Sequence, residues 1–232
     1  MPHLAENRDF WKNPVVVILS SVVLYFTAQL LGLAIILPFI RFSPSKNAQS
    51  MLLLIGVFVA FLILLTTGMK LLRFRWRDIG VSAGKLRYVG LVPVAFALYI
   101  VASSLLMSVA QQIPGFNSDQ AQDIGLAASG GHSTILAFVV LVVITPLFEE
   151  MLFRGVLFHG LRKRLPLVVS AFITSFAFAL AHGQANVAVD TFALGILLCL
   201  LAEYSKSLLP AVLLHALKNF LAFGVLFLHW GK

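Results

Sequence analysis

Three ionisable residues lie within six consecutive positions of one long apolar stretch. Glu149, Glu150 and Arg154 follow directly on the run from Ile135 to Phe148, which contains no charged residue. A charged side chain at the centre of a membrane helix costs roughly 2.5 kcal/mol or more, so such residues usually face a protein interior. There they take part in chemistry or transport, and we therefore expect this segment to belong to the functional site.

Helical spacing predicts different roles for the two glutamates. Residues four apart share a helix face, so Glu150 and Arg154 can form an ion pair, whereas Glu149 is rotated by about 100° and points elsewhere. An unpaired carboxylate in an apolar surrounding can take up a proton near neutral pH, as a general base must. Glu149 is then the reactive candidate, and Glu150 and Arg154 support it. The alternative is a buried ion network that only holds helices together.

Two later apolar segments carry polar residues at spacings that suit hydrolysis. His182 ends the fifth apolar segment, and His215 and Asn219 share one face of the seventh. Glu149 and His182 could hold and deprotonate a water molecule. His215 and Asn219 could donate hydrogen bonds to the oxyanion of a tetrahedral intermediate. These four residues together predict a hydrolase that transfers the acyl group of its substrate to water.

Lys218 is a further charged residue within the last apolar segment, about ten residues or roughly 15 Å from its start. It lies three positions after His215, so it projects toward nearly the same face. We expect it to border a water-filled cavity on the cytoplasmic side and to bind an acidic substrate segment or a terminal carboxylate. Alternatively, its long side chain reaches the cytoplasmic interface and has no specific role.

The overall composition is that of a polytopic membrane protein. Hydrophobic residues make up 60% of the 232 positions and charged residues 11%, which is too much apolar surface for a soluble core. The sequence predicts an all-α bundle of about seven membrane spans that forms a single domain over residues 1–232. The predicted spans are Pro14 to Ile40, Met51 to Leu72, Tyr88 to Ala110, Ser133 to Phe158, Leu167 to His182, Asn186 to Ala202 and Leu208 to Leu228.

Basic residues cluster in alternate connections between these spans. The net charge of +8 therefore indicates membrane orientation and excludes nucleic-acid binding as a function. The third connection, Gln111 to His132, contains no Lys or Arg, and Arg41 and Lys46 are a minority on the same side. We predict a cytoplasmic N-terminus, with the second and fourth connections inside and the third outside. The basic residues of these two connections are Arg73, Arg75, Arg77, Lys85, Arg87, Arg162, Lys163 and Arg164.

Three motifs in this order resemble those of the CAAX-protease and bacteriocin-processing family of intramembrane endopeptidases. They are Glu-Glu-x-x-x-Arg at 149–154, Phe-x-x-x-His at 178–182 and His-x-x-x-Asn at 215–219. The resemblance covers a catalytic core at residues 133–223 and implies a helical bundle that encloses a conical cavity for a peptide. By this resemblance the water-activating pair, the oxyanion pair and the supporting pair are Glu149 with His182, His215 with Asn219, and Glu150 with Arg154.

The residues leave the use of a metal open. Glu149, His182 and His215 could bind a catalytic zinc with one open position. However, the sequence lacks His-Glu-x-x-His, and Asn219 beside His215 suits an oxyanion donor better than a zinc ligand. The residues therefore favour a glutamate-type mechanism without a cofactor.

The charged segment also fits functions other than proteolysis. The chain could be a non-proteolytic membrane scaffold or immunity factor, or a small transporter that uses the charged segment, although it lacks the paired repeats of many transporters. Its compact form without an organelle signal indicates a bacterial plasma membrane. There the expected partners are lipid and a peptide or protein substrate.

Overall fold

The computed structural model describes residues 13–43, 45–118, 132–228 and 230. Within these ranges the chain folds into seven apolar helices, and no strand occurs there. Two short 3₁₀ segments, Trp76–Ile79 and Leu86–Leu91, lie between the second and third helices. The helices are α1 (Pro14–Ile40), α2 (Lys46–Leu72), α3 (Val92–Ala110), α4 (132–161), α5 (Leu167–Leu180), α6 (Ala185–Ser205) and α7 (Leu209–Phe227).

All seven predicted spans are helical, and α1 has the predicted bounds. Local sequence signals explain where α1 begins. The side chain of Asn13 accepts a hydrogen bond of 2.9 Å from the Val15 amide, and Pro14 occupies the first turn. In the described parts of the chain, six helical segments are long and apolar enough to cross a membrane. Helix α5 has only 14 residues, or about 21 Å at the helical rise, so it ends short of a full hydrocarbon layer of about 30 Å.

Helix α4 is not a regular α-helix. Its α-helical parts, His132–Phe138, Thr145–Glu149 and His159–Leu161, alternate with two π-helical segments, Val139–Ile144 and Glu150–Phe158. Segments of this kind are rare and occur often at functional sites. The second of them contains Glu150 and Arg154, so the widened turn lies within the charged segment of the sequence.

Contacts between connections define two ends of the bundle. The Ser82 hydroxyl donates to the Lys206 carbonyl at 2.9 Å, and Arg162 forms a 3.0 Å ion pair with Glu203. The α2–α3, α4–α5 and α6–α7 connections therefore meet at one end, which we call the basic end. At the opposite end, the far end, the Asn186 side chain donates to the Ser118 carbonyl at 3.3 Å.

This arrangement agrees with the predicted alternation of the connections. The two basic connections lie at the basic end, and the described part of the third connection, residues 111–118, lies at the far end. Residues 119–131 of that connection are outside the described ranges. The N-terminal turn of α1 lies at the basic end, because Val17 packs against Gly160 so closely that an added Cβ would come within 2.5 Å of it. A cytoplasmic location of this end stays a prediction.

A large part of the buried core lies between the centre of the bundle and the basic end. Residues 150–161 of α4 are all buried except Val156 and His159, which are half-buried. Leu194 and Leu198 of α6 and Leu214 of α7 are completely inaccessible to solvent. This core surrounds the charged segment of α4 and holds its side chains in place.

Candidate active site

Glu150 and Arg154 form the ion pair that their spacing predicts. The Arg154 Nη1 atom lies 2.8 Å from Glu150 Oε1, and both side chains are fully buried. Arg154 also donates from Nη2 to the Gly195 carbonyl at 3.3 Å, and its Cζ lies 4.4 Å from the centroid of the Phe178 ring. The guanidinium therefore connects α4 with both α5 and α6.

His215 lies between the two glutamates. Its Nδ1 atom is 2.9 Å from Glu150 Oε1, and its Nε2 atom is 3.4 Å from Glu149 Oε2. Glu149 thus points away from the Glu150–Arg154 pair as expected, but the expectation that it lacks a partner is wrong. The rotation of about 100° between adjacent helical residues brings the two carboxylates to different nitrogens of one ring supplied by α7.

The two glutamates differ in their access to solvent. The Glu150 side chain is fully buried, whereas 18% of the Glu149 side chain remains exposed. Glu149 also lines a pocket, as described below, and Glu150 does not. Only Glu149 is therefore placed to meet a bound molecule.

The end of α5 determines the orientation of His182. The His182 amide donates to the Ala179 carbonyl in a tight last turn, which leaves the Phe178 carbonyl without that partner. The His182 ring contacts this carbonyl through Nδ1 at 2.9 Å. Because a carbonyl only accepts, Nδ1 carries the hydrogen, and Nε2 of the neutral ring is left as an acceptor.

The first π-helical segment determines the orientation of Asn219. The Thr145 amide donates to the Val140 carbonyl, five residues back, and the next residue, Pro146, has no N–H to donate. The Leu141 carbonyl consequently lacks a donor within the helix, and Asn219 supplies one from Nδ2 at 2.9 Å. The second hydrogen on Nδ2 is not used in this contact.

The four predicted catalytic residues line one pocket of about 270 Å³. A second pocket, of about 220 Å³, also contains Glu149 and His182 and lies between α1, α2, α4 and α5. The remaining walls of the first pocket are Leu54, Leu141, Thr145, Thr191, Lys218, Ala222, Phe223 and Leu226. The helical bundle is thus confirmed, whereas an enclosed cavity stays a prediction.

Lys218 borders the pocket and faces a polar cluster that the sequence analysis missed. Its Nζ atom lies 3.7 Å from Asp190 Oδ2, and Asp190 Oδ1 accepts hydrogen bonds from Tyr99 at 2.7 Å and Ser103 at 2.6 Å. Two features of the sequence could have indicated this cluster. Asp190 is a charged residue within an apolar span, and Tyr99 and Ser103 are four residues apart on α3.

A cytoplasmic position of Lys218 and a cytoplasmic basic end, both predicted from the sequence, exclude each other. Asp190 is the sixth residue of α6, a helix that begins at the far end, so the Lys218 amine extends away from the basic end. Under the predicted orientation this is the outer side. The side chain does not reach toward the basic connections as the alternative interpretation requires.

The proposed zinc ligands do not form a metal-binding arrangement. Among the described residues, no group of three His, Cys, Asp or Glu side chains is placed to hold a metal ion. The Nδ1 atom of His215 is engaged by Glu150 at 2.9 Å, and its Nε2 atom lies 3.4 Å from Glu149 Oε2.

Comparisons with known proteins give two matches. Residues 131–221 match the family described as type II CAAX prenyl endopeptidase Rce1-like. The membrane-embedded CAAX protease MroQ of Staphylococcus aureus (strain USA300) is 26% identical over 213 residues, which cover 87% of this chain and 85% of that protein. No solved structure matches the chain significantly.

Proposed function

We propose a residue-level mechanism for this chain, which belongs to the CAAX-protease and bacteriocin-processing family and is an intramembrane peptidase. In this mechanism Glu149 and His182 activate a water molecule, and His215 and Asn219 stabilise the oxyanion. The observation that carries it is the convergence of these four side chains, from three separate parts of the chain, on one pocket.

The water-activating step uses the carboxylate of Glu149 and the free Nε2 of His182. Glu149 accepts a proton from the water, and the resulting hydroxide forms a C–O bond with the carbonyl carbon of the scissile peptide bond. The proton then passes from Glu149 to the leaving nitrogen as the C–N bond breaks, which gives a carboxylic acid and an amine. The partial exposure of Glu149 and the fixed tautomer of His182 support these roles.

His215 can donate to the oxyanion through Nε2 when its ring is doubly protonated. A neutral ring has one N–H, and the Glu150 carboxylate at 2.9 Å takes it at Nδ1 because a carboxylate only accepts. Glu150 then holds the ring in position and balances the positive charge of the doubly protonated form, as the carboxylate of a catalytic triad does. Arg154 in turn holds Glu150.

Asn219 supplies the second donor for the oxyanion. One of its amide hydrogens is engaged by the Leu141 carbonyl, which fixes the plane of the side chain beside the pocket. The other amide hydrogen is available to the substrate. Loss of a single oxyanion donor typically costs about 100-fold to 1,000-fold in rate.

The experiment that tests this function compares the peptides released from cells that carry wild-type protein or the Glu149→Gln variant. We expect a set of cleavage products that disappears in the variant while the amount of membrane protein is unchanged. Glu203→Gln is the matched control, since it removes a carboxylate at the basic end that pairs with Arg162. Identical peptide sets for wild type and Glu149→Gln, with an unchanged cellular phenotype, would instead favour a scaffold or immunity function.

A further inference from the structure

The pocket that all four catalytic residues share extends from them toward the far end. On α7 its lining residues run from His215 to Leu226, close to the end of the helix at Phe227. On α2 and α6 it is lined by Leu54 and Thr191, each in the half of its helix that is nearer the far end. The pocket therefore spans roughly 16 Å of α7, for the 11 helical steps between His215 and Leu226.

Packed side chains separate the catalytic residues from the basic end. Beyond Glu149, the α4 segment 150–161 is almost wholly buried. Three residues on the basic-end side of His215 are completely inaccessible to solvent: Ala211 and Leu214 of α7 and Ala202 of α6. Among the pockets that the described residues form, the one at the basic end, lined by Leu72, Asp78 and Lys163, contains none of the four catalytic residues. The pocket that extends toward the far end contains all four.

The charges of the two ends differ strongly. In the described residues, the far end carries Arg41 and Lys46, and the basic end carries ten Lys and Arg residues and the acidic Asp78 and Glu203. An excess of Lys and Arg in short connections marks the cytoplasmic side of a membrane protein. The ten residues are Lys70, Arg73, Arg75, Arg77, Lys85, Arg87, Arg162, Lys163, Arg164 and Lys206.

We propose that substrates reach the active site from the extracytoplasmic side of the membrane. The substrate class is a peptide segment that lies at the outer face and presents apolar residues next to the scissile bond. The apolar walls match such residues, since Leu54, Leu141, Ala222, Phe223 and Leu226 line the pocket beyond the catalytic group. The proposal rests on the function proposed above, and it excludes a tail that stays in the cytoplasm.

The test is the labelling of single added cysteines with a membrane-impermeant thiol reagent, in intact cells and in inside-out vesicles. The probes are Ala222→Cys in the pocket wall and Leu226→Cys nearer its opening. The matched controls are Gln112→Cys, exposed at the far end, and Ala83→Cys, exposed at the basic end. Wild-type protein gives the background, because its one cysteine, Cys199, is fully buried.

We expect Ala222→Cys, Leu226→Cys and Gln112→Cys to be labelled in intact cells, and Ala83→Cys only in inside-out vesicles. Labelling of Ala83→Cys in intact cells would overturn the assignment of the outer face. Labelling of both pocket cysteines only in inside-out vesicles, or from neither side, would overturn the direction of access.

The labelling does not depend on catalysis, so it separates this proposal from the proposed function. The same pattern is expected when Ala222→Cys is combined with Glu149→Gln. If cleavage is absent from wild type while the labelling pattern holds, the mechanism fails and the direction of access stands. If cleavage is present and the pattern is reversed, only the direction of access fails.

Discussion

The ion pair between Glu150 and Arg154 allows a prediction of stability that separates these residues from Glu149. Glu150→Gln removes the carboxylate charge and leaves the Arg154 guanidinium in a fully buried position. Removal of one partner of a buried pair typically costs about 3–5 kcal/mol. Arg154 keeps its contacts with the Gly195 carbonyl and the Phe178 ring, so we expect the lower part of that range, about 3–4 kcal/mol. At about 1.4 kcal/mol per factor of ten, the folded-to-unfolded ratio falls more than 100-fold.

The matched control is Glu149→Gln, the same chemical change at the adjacent residue. Glu149 is 18% exposed and its carboxylate lies 3.4 Å from His215 Nε2, so we expect a change of about 1 kcal/mol or less. Unfolding of the purified proteins in detergent measures the difference. A double variant, Glu150→Gln with Arg154→Met, should recover most of the lost stability, because it removes the stranded charge. Equal stability of Glu150→Gln and Glu149→Gln would refute the reasoning.

Three further predictions concern the reaction itself. Glu149→Gln and His182→Ala should each lower the cleavage rate about 100-fold to 10,000-fold without loss of folded protein, and near-wild-type cleavage by purified Glu149→Gln would contradict the assignment. Thorough chelation should leave activity unchanged in protein that contains no stoichiometric zinc, whereas activity lost to a chelator and restored by zinc would indicate metal-assisted hydrolysis. Lys218→Met should weaken substrate binding with the chemical step largely spared, and wild type should be more salt-sensitive than the variant. Unchanged kinetics at low and high salt would exclude a role in binding.

The sequence predicts the membrane spans well because their signal is local. A run of about 20 apolar residues requires a helix in lipid, whatever surrounds it. The signal of the basic connections, a cluster of Lys and Arg, is equally local, and the structure places both connections at one end. The two π-helical segments of α4 have no comparable signal, since Pro146 is the one residue there that prevents regular α-helical bonding.

The candidate site is predictable where its residues share a helix and unpredictable where it joins helices. Glu150 and Arg154 are four apart, so their pairing follows from helical geometry alone. The position of His215 between both glutamates depends on how α7 lies against α4, which periodicity does not encode. The same holds for the contact of Asp190 with Tyr99 and Ser103, which joins α6 to α3.

Two irregularities of the backbone orient side chains of the candidate site. The first π-helical segment of α4 leaves the Leu141 carbonyl for Asn219, and the tight last turn of α5 leaves the Phe178 carbonyl for His182. A carbonyl without a donor is costly inside a membrane, where water cannot replace the lost hydrogen bond. Each side chain therefore has one favoured orientation before substrate binds. The π-helical segment of α4 and the tight last turn of α5 thus fix two side chains of the pocket. A regular α-helix at either position would leave Asn219 or His182 without its backbone partner.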